Sequence, residues 1–252
     1  MGKQYLIYQA CVGETPSFYD DCIASVARYA TRIGADHIVQ REPKLKIAPL
    51  KSERSENANR LGFLPIYEKE VAFEYFDRFE KILILDADIY ITDKAPDIFA
   101  ESVTDFAGVV EREMPLTAKY FEKIRKYSKG QYDRLTDVDW KWNDNGAEFF
   151  NMGVMLLDRG ITKYIDGTPE QFIRRPEFER FVNGEGHWRW STDQTLLNWW
   201  VKKSGMSVGH LDWRWNALYG AVDVAQAFFV HFFLSAKMPR KGAEIPKIIW
   251  GL

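Results

Sequence analysis

Cysteine is scarce: the 252 residues contain two, Cys11 and Cys22. These have no metal-ligand spacing, and nothing in them demands an oxidising compartment. Long hydrophobic runs are missing too. No stretch approaches the roughly 18 apolar residues of a membrane span. Lys3-Gln4 leads straight into an apolar run too short for a secretory h-region with its cleavage site. A soluble, cytoplasmic protein is the expectation. Neither sign of charge dominates: 34 Lys and Arg face 36 Asp and Glu, a formal net charge of −2. No global basic field therefore invites nucleic acid. A G-x-G-x-x-G fingerprint and a Walker P-loop are both absent, which counts against nicotinamide-dependent enzymes and P-loop NTPases. No Gly/Ser-rich or Pro-rich linker divides the chain. Trp-Arg-Trp occurs twice, at 188–190 and 213–215, but with different flanks, so there is no internal period. A single domain over 1–252 is the simplest partition.

What is present centres on Lys81 to Asp93, KILILDADIYITD. Its continuous apolar run fits a strand buried on both faces, as in a parallel sheet. Asp86 and Asp88 at the end of that run are the anomaly, because an ionised carboxylate loses its hydration when buried. A strand ending at a cleft, with both carboxylates facing a cation, resolves the conflict. Residues i and i+2 of a regular strand share a face, so Asp86 and Asp88 are expected to point the same way. Hard oxygen ligands suit Mg²⁺ or Mn²⁺, ions that usually serve substrate phosphates. Asp-x-Asp alone is a weak signal, since a turn capped by Asp88 would have the same sequence. Its place directly after Ile-Leu-Ile-Leu gives it weight.

The opening of the chain is strand, helix, strand. Tyr5–Val12 is a buried strand. Ser17 is placed as the N-cap of a helix with the apolar stripe Phe18, Cys22, Ile23, Val26 and Tyr29, closed by Gly34. A second strand covers 35–40. This is the start of an α/β sheet, whose ligands bind at the carboxyl ends of strands; Ala10 to Gly13 then lie at a binding edge. Residues 41–59 read as a polar surface loop and Arg60–Phe79 as helical, with Leu64, Tyr67, Val71, Phe73 and Phe76 apolar. Strands are expected at Phe106–Val110 and Phe149–Asp158. Gly153 inside the latter marks a close backbone approach. Pro169–Val182 and Ser191–Lys203 read as helices and Met206–Leu211 as a strand. The last apolar run, Ala227–Phe233, is interrupted by His231. Between the strands, 111–148 is polar and rich in Tyr and Trp, with a helix expected over Leu116–Tyr127. The tail 237–252 carries several cations and Trp250.

Taken in order, the N-terminal strand, ILILDADI, FFNMGVMLLD, TDQTLLN and HFFLSAK resemble the glycosyltransferases of the glycogenin and bacterial lipopolysaccharide galactosyltransferase group, family eight. The resemblance covers nearly the whole chain, from about Gln4 to Arg240. It implies a GT-A fold, a Rossmann-like α/β/α sandwich with a mostly parallel central sheet. It also implies a nucleotide-diphosphate sugar as donor and Mn²⁺ (or Mg²⁺) as the metal. On that resemblance Asp86, Asp88 and His231 are the metal ligands. Ala87 belongs to the donor site, and Lys237 matches a lysine that contacts the diphosphate. The family usually has Gly between that His and Lys, where this chain has Phe232 to Ala236. Asn151 and Gly153 match an Asn-x-Gly that lines the sugar site. Asp193 and Gln194 match an Asp-Gln beside the anomeric carbon and are the catalytic candidates. Asn216, Arg60 and Lys69 resemble further donor-contacting residues. Ala10 and Val12 match the strand edge that packs around the nucleotide base.

The function so implied is transfer of a sugar to a hydroxyl acceptor with retention. The acceptor is a glycan, lipid-linked or protein-linked, and 111–148 is its inserted loop region. Trp140, Trp142, Trp188 and Trp190 are candidates for stacking on sugar rings. Peripheral contact of the tail with a membrane surface is a further expectation. The alternatives are a nucleotidyltransferase that makes nucleotide sugars, and a non-catalytic nucleotide- or carbohydrate-binding domain. The former usually begins with a Gly-rich, basic loop after the first strand, where this chain has Ala10 to Glu14.

Overall fold

Strand β1 (Tyr5–Ala10) supplies the central hydrophobic layer: Leu6, Ile7 and Tyr8 are fully buried. In the computed structural model, which describes residues 4–48, 56–103, 105–190, 193–234 and 238–252, β1 pairs in parallel with β2 (Asp36–Gln40) and β3 (Lys81–Leu85). The crossover to β2 is α1 (Phe18–Ile33). Its apolar stripe is buried and Gly34 ends it at φ 74°. Ser17 stands at the helix start as expected, but its side chain makes no capping bond.

Beyond β3, the strands are β4 (Ile89–Ile91), β5 (Phe106–Val110), β6 (Phe150–Asp158), β7 (Val208–His210), β8 (Ala217–Leu218) and β9 (Phe229–His231). The main sheet has the order β2-β1-β3-β6-β5-β7, and β6 is the strand that runs against the others. A small second sheet, β4-β9-β8, lies at the end of β3. The helices are α2 (Glu56–Leu61), α3 (Ala118–Tyr132), α4 (Pro169–Ile173), α5 (Glu179–Val182), α6 (Asp193–Lys203) and α7 (Ile245–Ile249). No helix among the described residues is long and apolar enough to cross a membrane. The fold is thus α/β with a mostly parallel central sheet.

Three helical expectations change. Pro169–Val182 is broken into α4, a 3-10 turn at Pro176–Phe178 and α5. The cause is Pro176, whose ring disfavours helical geometry at the residue before it. Arg60–Phe79 divides into α2 and a 3-10 helix over Pro65–Asp77. The helix expected over Leu116–Tyr127 is α3 and runs on to Tyr132, where Tyr132, Leu135 and Trp140 are buried. Much of 111–148 therefore packs into the core rather than looping over it. Trp140 is part of that core and donates to the Leu135 carbonyl at 2.8 Å. Trp188 donates to the Gln131 carbonyl at 3.0 Å and packs against Phe181. Both are structural, whereas Trp142 is exposed. Lys237 and the Trp190 side chain lie outside the described residues. Cys11 and Cys22 are free thiols.

In the 3-10 helix, residues three apart stack in rows. Ile66 and Lys69 form one row, Tyr67, Glu70, Phe73 and Phe76 another. Glu68, fully buried, anchors the helix to the segment after β2. Its carboxylate accepts from the backbone amides of Lys44, Leu45 and Lys46 at 2.7, 3.1 and 2.8 Å, and from Gln40 Nε2 at 2.7 Å. Truncating Glu68 would orphan three backbone donors, and a lost buried charge-assisted bond costs about 1.5–3 kcal/mol. Glu68→Ala should lower the urea midpoint by the equivalent of about 3 kcal/mol or more, and Glu68→Gln by clearly less. Equal midpoints for Ala and wild type would show that the anchor contributes nothing.

Candidate active site at the carboxyl end of the sheet

β3 stops at Leu85, and Asp86-Ala87-Asp88 is a turn leading into β4. Contrary to expectation, the two carboxylates therefore do not share a face of a regular strand; the turn and its partners converge them instead. Asp86 N donates to the Gly153 carbonyl at 2.9 Å, and Gln9 Nε2 donates to the Asp86 carbonyl at 3.2 Å. β9 runs antiparallel to β4 with His231 opposite Ile89, and Phe232 N donates to the Asp88 carbonyl at 3.0 Å. This pairing brings His231 Nε2 to 3.3 Å from Asp88 Oδ1 and 3.7 Å from Asp86 Oδ2.

Two backbone groups fix which ring nitrogen carries hydrogen. The Gly153 amide can only donate, and it donates to Asn151 Oδ1 at 3.1 Å. Asn151 Nδ2 therefore faces outward, to Glu111 Oε2 at 3.1 Å. The Asn151 carbonyl can only accept, and it accepts from Asn216 Nδ2 at 3.3 Å, which also donates to Asn151 Oδ1 at 2.9 Å. Asn216 Oδ1 is then left facing His231 Nδ1 at 2.9 Å, so Nδ1 bears the hydrogen. A neutral His231 thus aims its Nε2 lone pair at two carboxylates. That arrangement calls for a positive charge between them, either a proton or a metal ion. Burial pushes the imidazole pKa down, but Asp88 and Asp86 outweigh it and the net shift is upward. Asp88 Oδ1 is buried without a hydrogen-bond partner among the described residues. One donor atom each from Asp86, Asp88 and His231 lies within 4.8 Å of the others, so this group could hold a divalent cation.

The second cluster is centred on Lys69, whose buried ammonium is ion-paired with Asp193 at the start of α6. It also reaches Asp86 Oδ1 at 3.1 Å and the Met152 carbonyl at 2.9 Å. Burial alone would lower the lysine pKa, but Asp193 and Asp86 turn the shift upward and keep it cationic. Gln194 Oε1 accepts from the Met152 amide at 3.3 Å, and its Nε2 donates to the Tyr127 hydroxyl at 3.4 Å. Glu70, on the apolar row of its helix, is fully buried with neither oxygen hydrogen-bonded among the described residues. Burial and then Asp193 push its carboxyl well up, so it is held neutral.

Two cavities meet at these side chains. The first, about 270 Å³, is lined by Ala10, Cys11 and Val12 at the β1 edge, by Tyr19 of α1 and by Ala87 from the turn. The second, about 300 Å³, is lined by Glu111, Tyr120, Tyr127, Asn151, Gly153 and Gln194, with His231. Ile66, Lys69, Asp86, Asp88 and Asp193 line both.

Most of the sequence candidates are therefore brought together. Two are not at the cavity walls. Arg60 is exposed and bonds Glu14 at 2.6 Å on the rim of the first cavity. Asn216 is fully buried between β6 and β9 and reaches the site through Asn151 and His231. Glu111, Tyr120, Tyr127 and Glu70 were missed. Glu111 follows the carboxyl end of β5, a position that could have marked it.

Gly153 is required by the His231 ring. A Cβ there would lie 2.4 Å from His231 Cε1 and 2.8 Å from Nδ1. With Mn²⁺ as the probe of this candidate divalent-cation site, Gly153→Ala should weaken binding by about 10–100-fold, the scale of an outer-shell lesion at a metal site. Calorimetric titration gives the affinity, and an unchanged value would mean that the ring does not take part. Glu70 gives a pH signature. Its folded pKa lies above the unfolded value of about 4.3, so the unfolded chain releases its proton first and stability falls as pH rises above that value. Glu70→Gln should remove this decline, leaving the variant more stable than wild type at pH 7 by about 1 kcal/mol or more, yet similar near pH 4. Parallel melting curves across pH would contradict a neutral Glu70.

No protein-family model matches the chain, and no curated protein does. Solved structures do. The crystal structure of a glycosyltransferase involved in glycosylation of the major capsid of PBCV-1 is similar at TM-score 0.52 and 16% identity, covering 98% of this chain and 99% of that one. The galactosyltransferase LgtC, in complex with donor and acceptor sugar analogues, is similar at TM-score 0.59 and 14% identity, covering 98% and 94%. The bifunctional glycosyltransferase WbbM is similar at TM-score 0.54 and 12% identity over 92% of this chain and 46% of its own. The chain shares the fold of these glycosyltransferases, the GT-A fold.

Proposed function

We propose that the protein is a metal-dependent glycosyltransferase that moves a sugar from a nucleoside-diphosphate sugar to a hydroxyl acceptor on a glycan. One observation carries this reading: two cavities share a wall made of Asp86, Asp88, Lys69 and Asp193. A group-transfer enzyme with two substrates needs that layout. The first cavity opens at the carboxyl ends of β1 and β3 and suits a nucleotide; the second suits the sugar and its acceptor.

The oxygen and imidazole donors of Asp86, Asp88 and His231 fit Mn²⁺ or Mg²⁺, and the unpartnered Asp88 Oδ1 is an available ligand atom. Bound there, such an ion neutralises charge on a departing diphosphate. Asn216 orients the His231 ring. The acceptor oxygen bonds to the anomeric carbon, the carbon–oxygen bond to the diphosphate breaks, and the hydroxyl proton passes to the leaving phosphate oxygen. Asp193 is ion-paired with Lys69 and Gln194 is tied to the Met152 amide and Tyr127. Both are thus held as positioning groups for the sugar rather than as free nucleophiles. With the retention that the family resemblance implies, that assignment favours front-face attack over double displacement.

A melting panel of nucleoside diphosphates, each with and without Mn²⁺, tests the reading. At a concentration 100 times Kd, a ligand adds about 2.7 kcal/mol to native stability, worth roughly 5 °C or more in a chain of this size. One nucleotide should give a Mn²⁺-dependent shift that Asp88→Ala abolishes. Donor turnover should release nucleoside diphosphate and fall by about 100-fold in Asp193→Asn. Release of pyrophosphate would identify a nucleotidyltransferase instead, and a shift without turnover would identify a binding domain.

A further inference from the structure

α3 flanks the second cavity and carries Lys119, Lys123 and Lys126 at i, i+4 and i+7, one stripe of the helix. All three are exposed. They border a groove of about 470 Å³ that also takes in Thr117 and Gly220. Tyr120 and Lys123 line both this groove and the cavity that holds Asp86, Asp88 and Glu111. The groove is therefore an outward extension of the site. The Lys123 ammonium lies 4.9 Å from the Tyr120 ring centre and 5.5 Å from that of Phe233, at the junction of the two.

Charge in this groove runs against its surroundings. Three lysines and one carboxylate, Glu122, line it; Glu122 bonds Lys126 at 2.8 Å, and Lys123 also acts on Glu111 of the adjoining cavity. The whole chain carries −2, and the cavity floor is made of carboxylates. An anion is attracted to this stripe, within a Debye length of about 8–10 Å at ordinary salt. Ammonium groups on flexible stems bind phosphate as point charges. From Lys119 to Lys126 the helix rises about 10 Å, enough for one diphosphate or for two separate phosphates.

We infer that the acceptor is a phosphorylated glycan. Its attacking hydroxyl enters the cavity beside Glu111 and Gln194, and its phosphate lies outside on Lys119, Lys123 and Lys126. This rests on the glycosyltransferase reading above. The same chemistry is offered by a soluble sugar phosphate and by a lipid-linked sugar diphosphate.

The test compares kcat/KM for hexose 1-phosphates with that for the matching methyl hexosides. A second arm uses polyprenyl-diphosphate hexose in phosphatidylcholine vesicles. Wild type should prefer a phosphorylated acceptor by about tenfold or more at about 50 mM salt, and the preference should shrink at about 500 mM. In the double variant Lys119→Glu/Lys126→Glu the preference should collapse at least tenfold, with the nucleotide-dependent melting shift showing that the variant is folded. Preference in the soluble arm identifies a sugar phosphate; preference confined to vesicles identifies the lipid-linked form. Donor hydrolysis without acceptor reads the glycosyltransferase assignment separately. Hydrolysis with no phosphate preference in either arm, or a preference untouched by the double variant, overturns the inference. Absence of hydrolysis overturns both.

Discussion

Like charge gathered out of water is the constraint on which the rest of this structure depends. Asp86, whose side chain is 36% exposed, links the buried Lys69–Asp193 pair to Asp88 and His231. Burial raises the Asp193 carboxyl and the paired Lys69 ammonium opposes that shift; with the pair ionised, three carboxylates and one ammonium leave a deficit of two positive charges, and such a cluster is costly to assemble without compensation. The neighbouring acids reduce the load. Glu70 is neutral, and burial raises Glu111 despite its bonds from Asn151 and Tyr120. What remains matches a divalent cation in magnitude. His231 can supply only one of those charges, and must lose it to offer a lone pair.

The architecture around this cluster works as a set of fixed brackets. β3 and β1 present their carboxyl ends side by side, which puts the Asp-Ala-Asp turn next to Ala10 and Val12. The small sheet exists to deliver His231 to that turn through the register of β4 and β9. The 3-10 helix delivers Lys69 from below, and Glu68 pins that helix to the loop after β2. Each bracket uses backbone pairing or a buried carboxylate rather than surface ion pairs. Loss of one would leave an unmatched charge at the centre rather than a small surface deficit.

How far the sequence reveals this site varies with the kind of interaction. Asp86, Asp88 and His231 stood out because each interrupts an apolar run, an anomaly that local composition exposes. Gly153 stood out for the same reason, and the close approach expected there is to the His231 ring. Asn216 could be placed near the site but not given its role. Its partners Asn151 and His231 lie 65 and 15 residues away, and an amide relay has no sequence period. Glu70 was invisible because the stretch around it was read with a 3.6-residue period. On the 3-10 row it stacks with Tyr67 and Phe73, which buries it. Trp140 shows the opposite error. Its polar flanks suggested a sugar platform, yet it packs on Tyr132 in the core.

The antiparallel strand β6 explains how one stretch can be both core and active site. Against β3 its register is regular from Val154 to Asp158. Against β5 it slips: Ala107 pairs with Leu156, but Val109 pairs with Asn151, so two steps on β5 are met by five on β6. The surplus residues around Gly153 belong to a bulge, which re-aims side chains and frees backbone groups from the ladder. Here the freed groups are put to use. The Met152 carbonyl takes Lys69 and the Met152 amide takes Gln194, while the Gly153 carbonyl faces β3 and extends that pairing to the Asp86 amide. A regular strand would have spent the two Met152 groups on β5. The bulge is what allows a single strand to hold the sheet together at one end and tie both carboxylate clusters together at the other.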